Sequence, residues 1–281
     1  MKITDTFDDI YNCYSDGRFD LKCWERYAEK ICPPFNFGGK IKKDAADYDF
    51  EHDVLPVLQA AYADKDKLDE AHNSFCKLAD GLSDKVRKKL GCNLDVHIIL
   101  YLGLCNGAGW ATDIDGIPTV LLGIEKIAEL SWTDEKSMSG LIYHELGHIW
   151  HYQVRTVHTE TKSPEEKALW QLYSEGIAMY VEQILYGDKN FYHQDNDGWL
   201  RWCTENRGRL FGEFLKCVEK SESVRQFFGD RNQFEGMSDV GYYLGCELIK
   251  SVAETHSLNE IANMELSEIE TALKIQSQIE Y

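Results

Sequence analysis

The chain has 281 residues, 43% of them hydrophobic and 28% charged, with 30 basic against 48 acidic side chains and a net charge of −18. Those proportions are near globular averages and exclude a disordered chain; five prolines and 21 glycines exclude a collagen-like or proline-rich protein. A field of that sign repels phosphate backbones and anionic bilayers, so nucleic acid and membrane surfaces are not expected as partners.

The N-terminus is acidic from Asp5 onward and has no apolar region of signal-peptide type. No stretch approaches the ~18 apolar residues of a spanning helix. Nine cysteines, an odd number with no Cys-x-x-Cys pair, suggest reduced and mostly buried thiols in a cytoplasmic setting.

Residues 1–93 read as a helical region of unassigned role. Asp53–Ala63, Lys67–Leu78 and Ser83–Leu90 carry apolar residues at three- and four-residue spacing. The lysines and aspartates of 64–70 are the solvated face or turn of such helices. The texture changes at Asp95. Val96–Leu102 is short and rich in β-branched and aromatic residues, which predicts a strand. Asp115-Gly116 signals a turn, and Ile117–Ile124 predicts a second strand. From Thr133 onward the pattern is helical again. Residues 94–281 therefore predict a small sheet followed by a helical lobe, and the whole chain an α+β fold, mostly α, in one compact unit.

The sharpest motif is His144-Glu145-Leu146-Gly147-His148. Chance alone produces fewer than ~0.05 such matches in a chain of this composition. On a helix the two imidazoles stack one turn apart and can reach one zinc ion. Glu145, offset by ~100° of rotation, can touch a metal-bound water and act as its general base. Thr133 is the expected N-cap of this helix, with Asp134 and Glu135 in its first turn. Ile142, Leu146 and Ile149 form its buried face, and the histidines point away toward a cleft. His151 shares the histidine face but lies ~10.5 Å along the axis from His144, which predicts a solvent or cleft residue. His158 falls beyond the helix end and is a reserve ligand.

Glu175 is the favoured third ligand. Ser163-Pro164-Glu165-Glu166 is a helix start with N-cap, first-turn proline and capping box, and Gly187 is the stop. Glu175 lies mid-helix among Ala168, Leu172 and Met179, beside the small residues Gly176 and Ala178. A short loop would set this helix antiparallel to the histidine helix and bring the carboxylate opposite the imidazoles. Glu182, two turns on, is the competitor or a partner for a ligand imidazole. Trp199, Trp202, Phe211 and Phe214 recur at helical spacing and predict packed core.

With Glu175 standing 27 residues after His148, the sequence resembles the gluzincin metallopeptidases. Ser174-Glu175-Gly176-Ile177-Ala178-Met179-Tyr180 is similar to the Glu-Gly-Leu-Ala-x-Tyr segment that carries their third ligand. Gly241-Tyr242-Tyr243-Leu244-Gly245 is similar to a Gly-Tyr-x-x-Gly helix in an uncharacterised family of predicted zinc-dependent proteases. The likeness spans about Leu100 to Ile249. It departs from thermolysin at Met179, where thermolysin-like enzymes carry an Asp that orients a ligand histidine.

The resemblance implies a zincin-like fold whose small sheet has an edge strand over the cleft. It implies His144, His148 and Glu175 as zinc ligands, Glu145 as base and Tyr242 as oxyanion donor. The Gly107–Trp110 segment would be the edge that pairs with an extended substrate. The expected activity is zinc-dependent hydrolysis of peptide or protein substrates. The alternatives are a zinc hydrolase of non-peptide amides or esters, and a zincin-fold binding or toxin-like module without peptidase activity.

Overall fold

The run Val96–Leu102 is apolar apart from His97, which suits a strand covered on both faces, and its centre is the fully buried strand His97–Tyr101. The computed structural model describes residues 1–229 and 233–278. The chain divides into two units, Met1–Glu145 and the residues from Leu146 onward.

The first unit is α+β. In chain order it has β1 (Lys2–Asp5), α1 (Phe7–Ile10), the hairpin β2 (Tyr14–Ser15) and β3 (Arg18–Phe19), then α2 (Leu21–Ala28) and α3 (Phe37–Asp44). There follow α4 (Leu55–Ala63), α5 (Lys65–Ala79), α6 (Leu82–Leu90), β4 (His97–Tyr101), β5 (Gly109–Ile114), β6 (Ile117–Gly123) and α7 (Ile124–Glu129). The main sheet has the order β1-β4-β6-β5, with β1 and β6 parallel to β4, and β5 antiparallel to β6. β5 and β6 meet at Asp115-Gly116, both with positive φ (54° and 78°), as a tight primed hairpin turn requires.

β1 departs from the helical reading of residues 1–93. Lys2-Ile3-Thr4-Asp5 is short and mostly exposed, and it is a strand because Lys2–Asp5 pair with His97–Leu100. Behind the end of β4, the buried Glu125 carboxylate accepts from the Gly103 amide (2.7 Å) and the Cys105 amide (3.0 Å). This pins the turn that leads toward β5, and burial pushes the Glu125 carboxyl up to about 7.

Helix α8 (Glu135–Val154) is capped by Asp134, not by the expected Thr133. The Asp134 carboxylate accepts from the Lys136 and Ser137 amides, whereas the Thr133 hydroxyl donates to Glu70 of α5. A carboxylate also answers the positive helix end better than a hydroxyl does.

The second unit is helical, with α9 (Pro164–Tyr186), α10 (Trp199–Glu205), α11 (Arg207–Glu219), a hairpin of β7 (Gln233–Phe234) and β8 (Met237–Ser238), α12 (Val240–Ala253), α13 (Leu258–Ala262) and α14 (Leu266–Ser277). The capping box of Ser163 and Glu166 forms as expected, and Gly187 closes α9 at φ 94°. α9 and α12 pack through glycine: a Cβ on Gly245 would lie 2.5 Å from the Leu172 carbonyl oxygen and 2.8 Å from Gly176 Cα. Trp199, Phe211 and Phe214 are buried as expected, while Trp202 is half-buried with the Arg209 guanidinium over its ring.

Candidate metal centre

α8 buries Ile142, Leu146 and Ile149, so its remaining face is fixed by helix geometry. His144 is 4% exposed and Glu145 6%, and His148, one turn on from His144, is half-buried. The next helix, α9, carries Glu175 half-buried in its middle turns.

His148 Nε2 lies 3.2 Å from Glu175 Oε2. The ligand atoms of His144, His148 and Glu175 all lie within 4.8 Å of one another. Nitrogen and oxygen ligands bound at ~2.0–2.2 Å in a tetrahedral arrangement stand ~3.3–3.5 Å apart, so the His148–Glu175 pair needs almost no adjustment to share an ion. Two imidazoles and a carboxylate are also the right chemistry for a borderline cation such as zinc. The residues present therefore fit the metal that the motif implies.

The approach of the helices is set by small residues. A Cβ on Gly147 would lie 2.7 Å from Ala178 Cα and 2.8 Å from its carbonyl oxygen. Ala178 is one turn beyond Glu175, so the near-contact of backbones brings that carboxylate alongside His148.

The other candidates fall elsewhere. Glu182 is fully buried and accepts from the His193 amide (3.2 Å), with His193 Nδ1 at 3.0 Å from its other oxygen. The donor group contains Glu175 and not Glu182. His158 is exposed beyond the end of α8. His151 corrects an expectation, because it is buried rather than facing solvent or a cleft. Its Nε2 meets the Ala262 carbonyl at 3.2 Å, and its ring stacks on Trp170 and meets Tyr173 edge-on. Burial, reinforced by the nearby Arg155 charge, holds its pKa down to about 3.

Tyr242 is half-buried on α12 with its ring edge-to-face against Phe228, at 5.6 Å. Tyr243 diverges from it: it is buried near Tyr192 and Trp199 and lines a cavity of about 390 Å³ with Arg207, Glu247 and Lys250. The expected edge segment starts at Gly109 rather than Gly107 and continues to Ile114, at one end of the sheet. A Cβ on Gly109 would lie 2.9 Å from the Leu141 side chain and 3.2 Å from Glu145 Cγ, so this edge runs close beside the Glu145 turn of α8.

A second donor group, Asp5, His72 and Cys76, was not read from the sequence. Its partial signal was present, since His72 and Cys76 stand four residues apart on a recognisable helix. No family model, curated protein or solved structure compared with the chain matches it.

Proposed function

We propose that the protein is a zinc-dependent peptidase of zincin type that hydrolyses bonds in peptide or protein substrates. The observation that carries the proposal is the convergence of His144, His148 and Glu175 within 4.8 Å, with Glu145 adjoining His144 in the chain. Catalytic zinc sites of two histidines and one carboxylate keep a further position for water or substrate. Zinc held there supplies Lewis-acid chemistry, polarising a carbonyl and making water acidic enough to lose a proton near neutral pH.

The chain's own residues do the rest. Glu145 takes the proton of the attacking water on its carboxylate and returns it to the departing amine. The Tyr242 hydroxyl donates to the oxyanion that develops on the scissile carbonyl. An extended peptide adding to β5 would pass near Glu145, because the missing side chain of Gly109 lets the strand itself run close against Leu141 and Glu145 of α8. The gluzincin resemblance supports the same assignment of roles. Nine cysteines that form no disulfide among the described residues suit a reducing compartment, which supports a cytoplasmic setting.

The test is hydrolysis of a mixed peptide library by the full chain, with a chelator control and the Glu145→Gln variant. Cleavage lost in both controls is the expected result. Intact peptides in the presence of bound zinc would overturn the reading and leave hydrolysis of other amides or esters, or binding alone.

A further inference from the structure

We propose that Asp5, His72 and Cys76 form a second cation site, independent of the first, which takes a zinc-class divalent ion through one oxygen, one nitrogen and one sulfur. All three residues lie in the first unit, and none belongs to the hydrolytic machinery proposed above.

Helix periodicity puts His72 and Cys76 on one face of α5, ~5–6 Å apart at their stems. The end of β1 brings Asp5 to that face across 67 residues of sequence. His72 Nε2 lies 2.7 Å from Asp5 Oδ2 and 3.3 Å from Cys76 Sγ, and Cys76 Sγ lies 3.9 Å from Asp5 Oδ2. Bond lengths of ~2.0–2.2 Å to nitrogen and oxygen and ~2.3 Å to sulfur give tetrahedral edges of ~3.3–3.6 Å. Each observed separation is within ~0.7 Å of that range, and side-chain rotation alone can supply the difference.

The cluster is held from outside as well. Asp5 Oδ1 accepts from the Phe7 amide at 3.0 Å, which fixes the carboxylate and turns Oδ2 toward the imidazole. The Phe7 ring stacks on His72 with centroids 4.0 Å apart and planes 6° from parallel, which fixes the imidazole orientation. Partners of this kind, orienting the ligands without binding the ion, strengthen metal sites.

The geometry argues against the rival use of Cys, His and Asp as a nucleophilic relay. A relay needs the thiol on one ring nitrogen and the carboxylate on the other. Here both face Nε2, so the three groups converge on one point. A cation at that point would take the Nε2 lone pair and displace the thiol proton, replacing the hydrogen bonds now shared at the nitrogen. Asp5 and Cys76 are both exposed, so an ion from solvent reaches the site directly.

Cobalt(II) titration of the chelator-stripped full chain separates this site from the first, because only a cysteine ligand produces thiolate-to-cobalt charge-transfer absorption. Two equivalents should bind, one with that absorption. His148→Ala should remove the equivalent without it and keep the other. Cys76→Ser should abolish the absorption and weaken that equivalent by more than ~100-fold, beyond what loss of an outer partner costs. Asp5→Asn should weaken it less, and zinc should compete in every case. Absence of the absorption in the wild-type chain, or its survival in Cys76→Ser, would overturn the proposal. Cys76 is exposed, so its serine variant should melt like the wild type without metal, and that measurement guards against a folding artefact.

Discussion

Gly147 of α8 and Ala178 of α9 meet backbone to backbone, and no side chain fits between them. A Cβ on Gly147 would lie 2.7 Å from Ala178 Cα. Alanine at an ordinary mid-helix glycine stabilises by roughly 0.5–1 kcal/mol. Here the sign should reverse. Gly147→Ala should cost about 1–3 kcal/mol by forcing the helices apart. Zinc affinity should fall with it, because the shift carries Glu175 away from His148. Thermal melting and zinc titration of the variant check both effects; a stabilised variant with full zinc affinity would contradict the packing.

Metal content tests the donor set directly. The purified chain should carry zinc in the first site, and His144→Ala or His148→Ala should each lose it. Glu145→Gln should keep the metal and lose hydrolysis, since in the proposed mechanism the carboxylate would act on the water and not as a ligand. Elemental analysis beside peptide cleavage separates these outcomes, and a zinc-free wild type after reconstitution would contradict the assignment.

Glu175 and Glu182 should respond differently to the same change. Glu175→Gln replaces the proposed ligand carboxylate by a poorer amide and should weaken zinc markedly with little effect on melting. Glu182→Gln leaves the first site its donors but disturbs the buried contacts to His193, and should cost about 1–3 kcal/mol of stability. The reverse pattern would show that Glu182 is the ligand.

How much of this was legible in the sequence depends on how local each cause is. The α9 start at Ser163–Glu166 and its stop at Gly187 lie within one turn of the residues that cause them, and both were readable. So was the pairing of His144 and His148, because helix periodicity alone sets it. β1 was not readable: four mixed residues become a strand only through β4, some 95 residues away. The cap of α8 lies one residue beyond the one its local pattern indicates because Glu70, far upstream, engages the Thr133 hydroxyl. His151 looked like an exposed neighbour of the ligand face, yet Trp170, Tyr173 and the Ala262 carbonyl enclose it. Asp5 joins His72 and Cys76 by the same kind of distant pairing that makes β1 a strand.

That enclosure of His151 has a pH signature. Its folded pKa of about 3 lies below the usual 6.5, so the unfolded chain binds the proton first as pH falls. Its contribution to stability is full above about 6.5 and is lost progressively down to about 3. The slope approaches ~1.4 kcal/mol per pH unit within that window. His151→Gln, which keeps an amide donor for the Ala262 carbonyl, should flatten the acid limb of stability against pH. Denaturant unfolding across that range checks it, and an unchanged slope would remove His151 as the cause.

Tyr242→Phe should lower kcat by ~10²–10³ with little change in KM, because in the proposed mechanism its hydroxyl would act only on the developing oxyanion. Zinc content and melting should stay near wild type, since the ring and its contact with Phe228 remain. Tyr243→Phe should change activity by no more than a few-fold, because its ring belongs to the Tyr192 and Trp199 cluster. Steady-state kinetics of both variants decides between them.

The position of β5 at one end of the sheet has a colloidal consequence. A strand ending a sheet can recruit the same strand of another molecule, and the trait that would let it take a guest peptide also invites self-stacking. Asp113 on this strand and Asp115 in its turn place like charges where two such edges would meet, against a background of −18 for the whole chain. Mutual repulsion of the two aspartates and their copies opposes the pairing of two such edges. Screening by salt weakens that protection first between molecules, because their charges face each other across water.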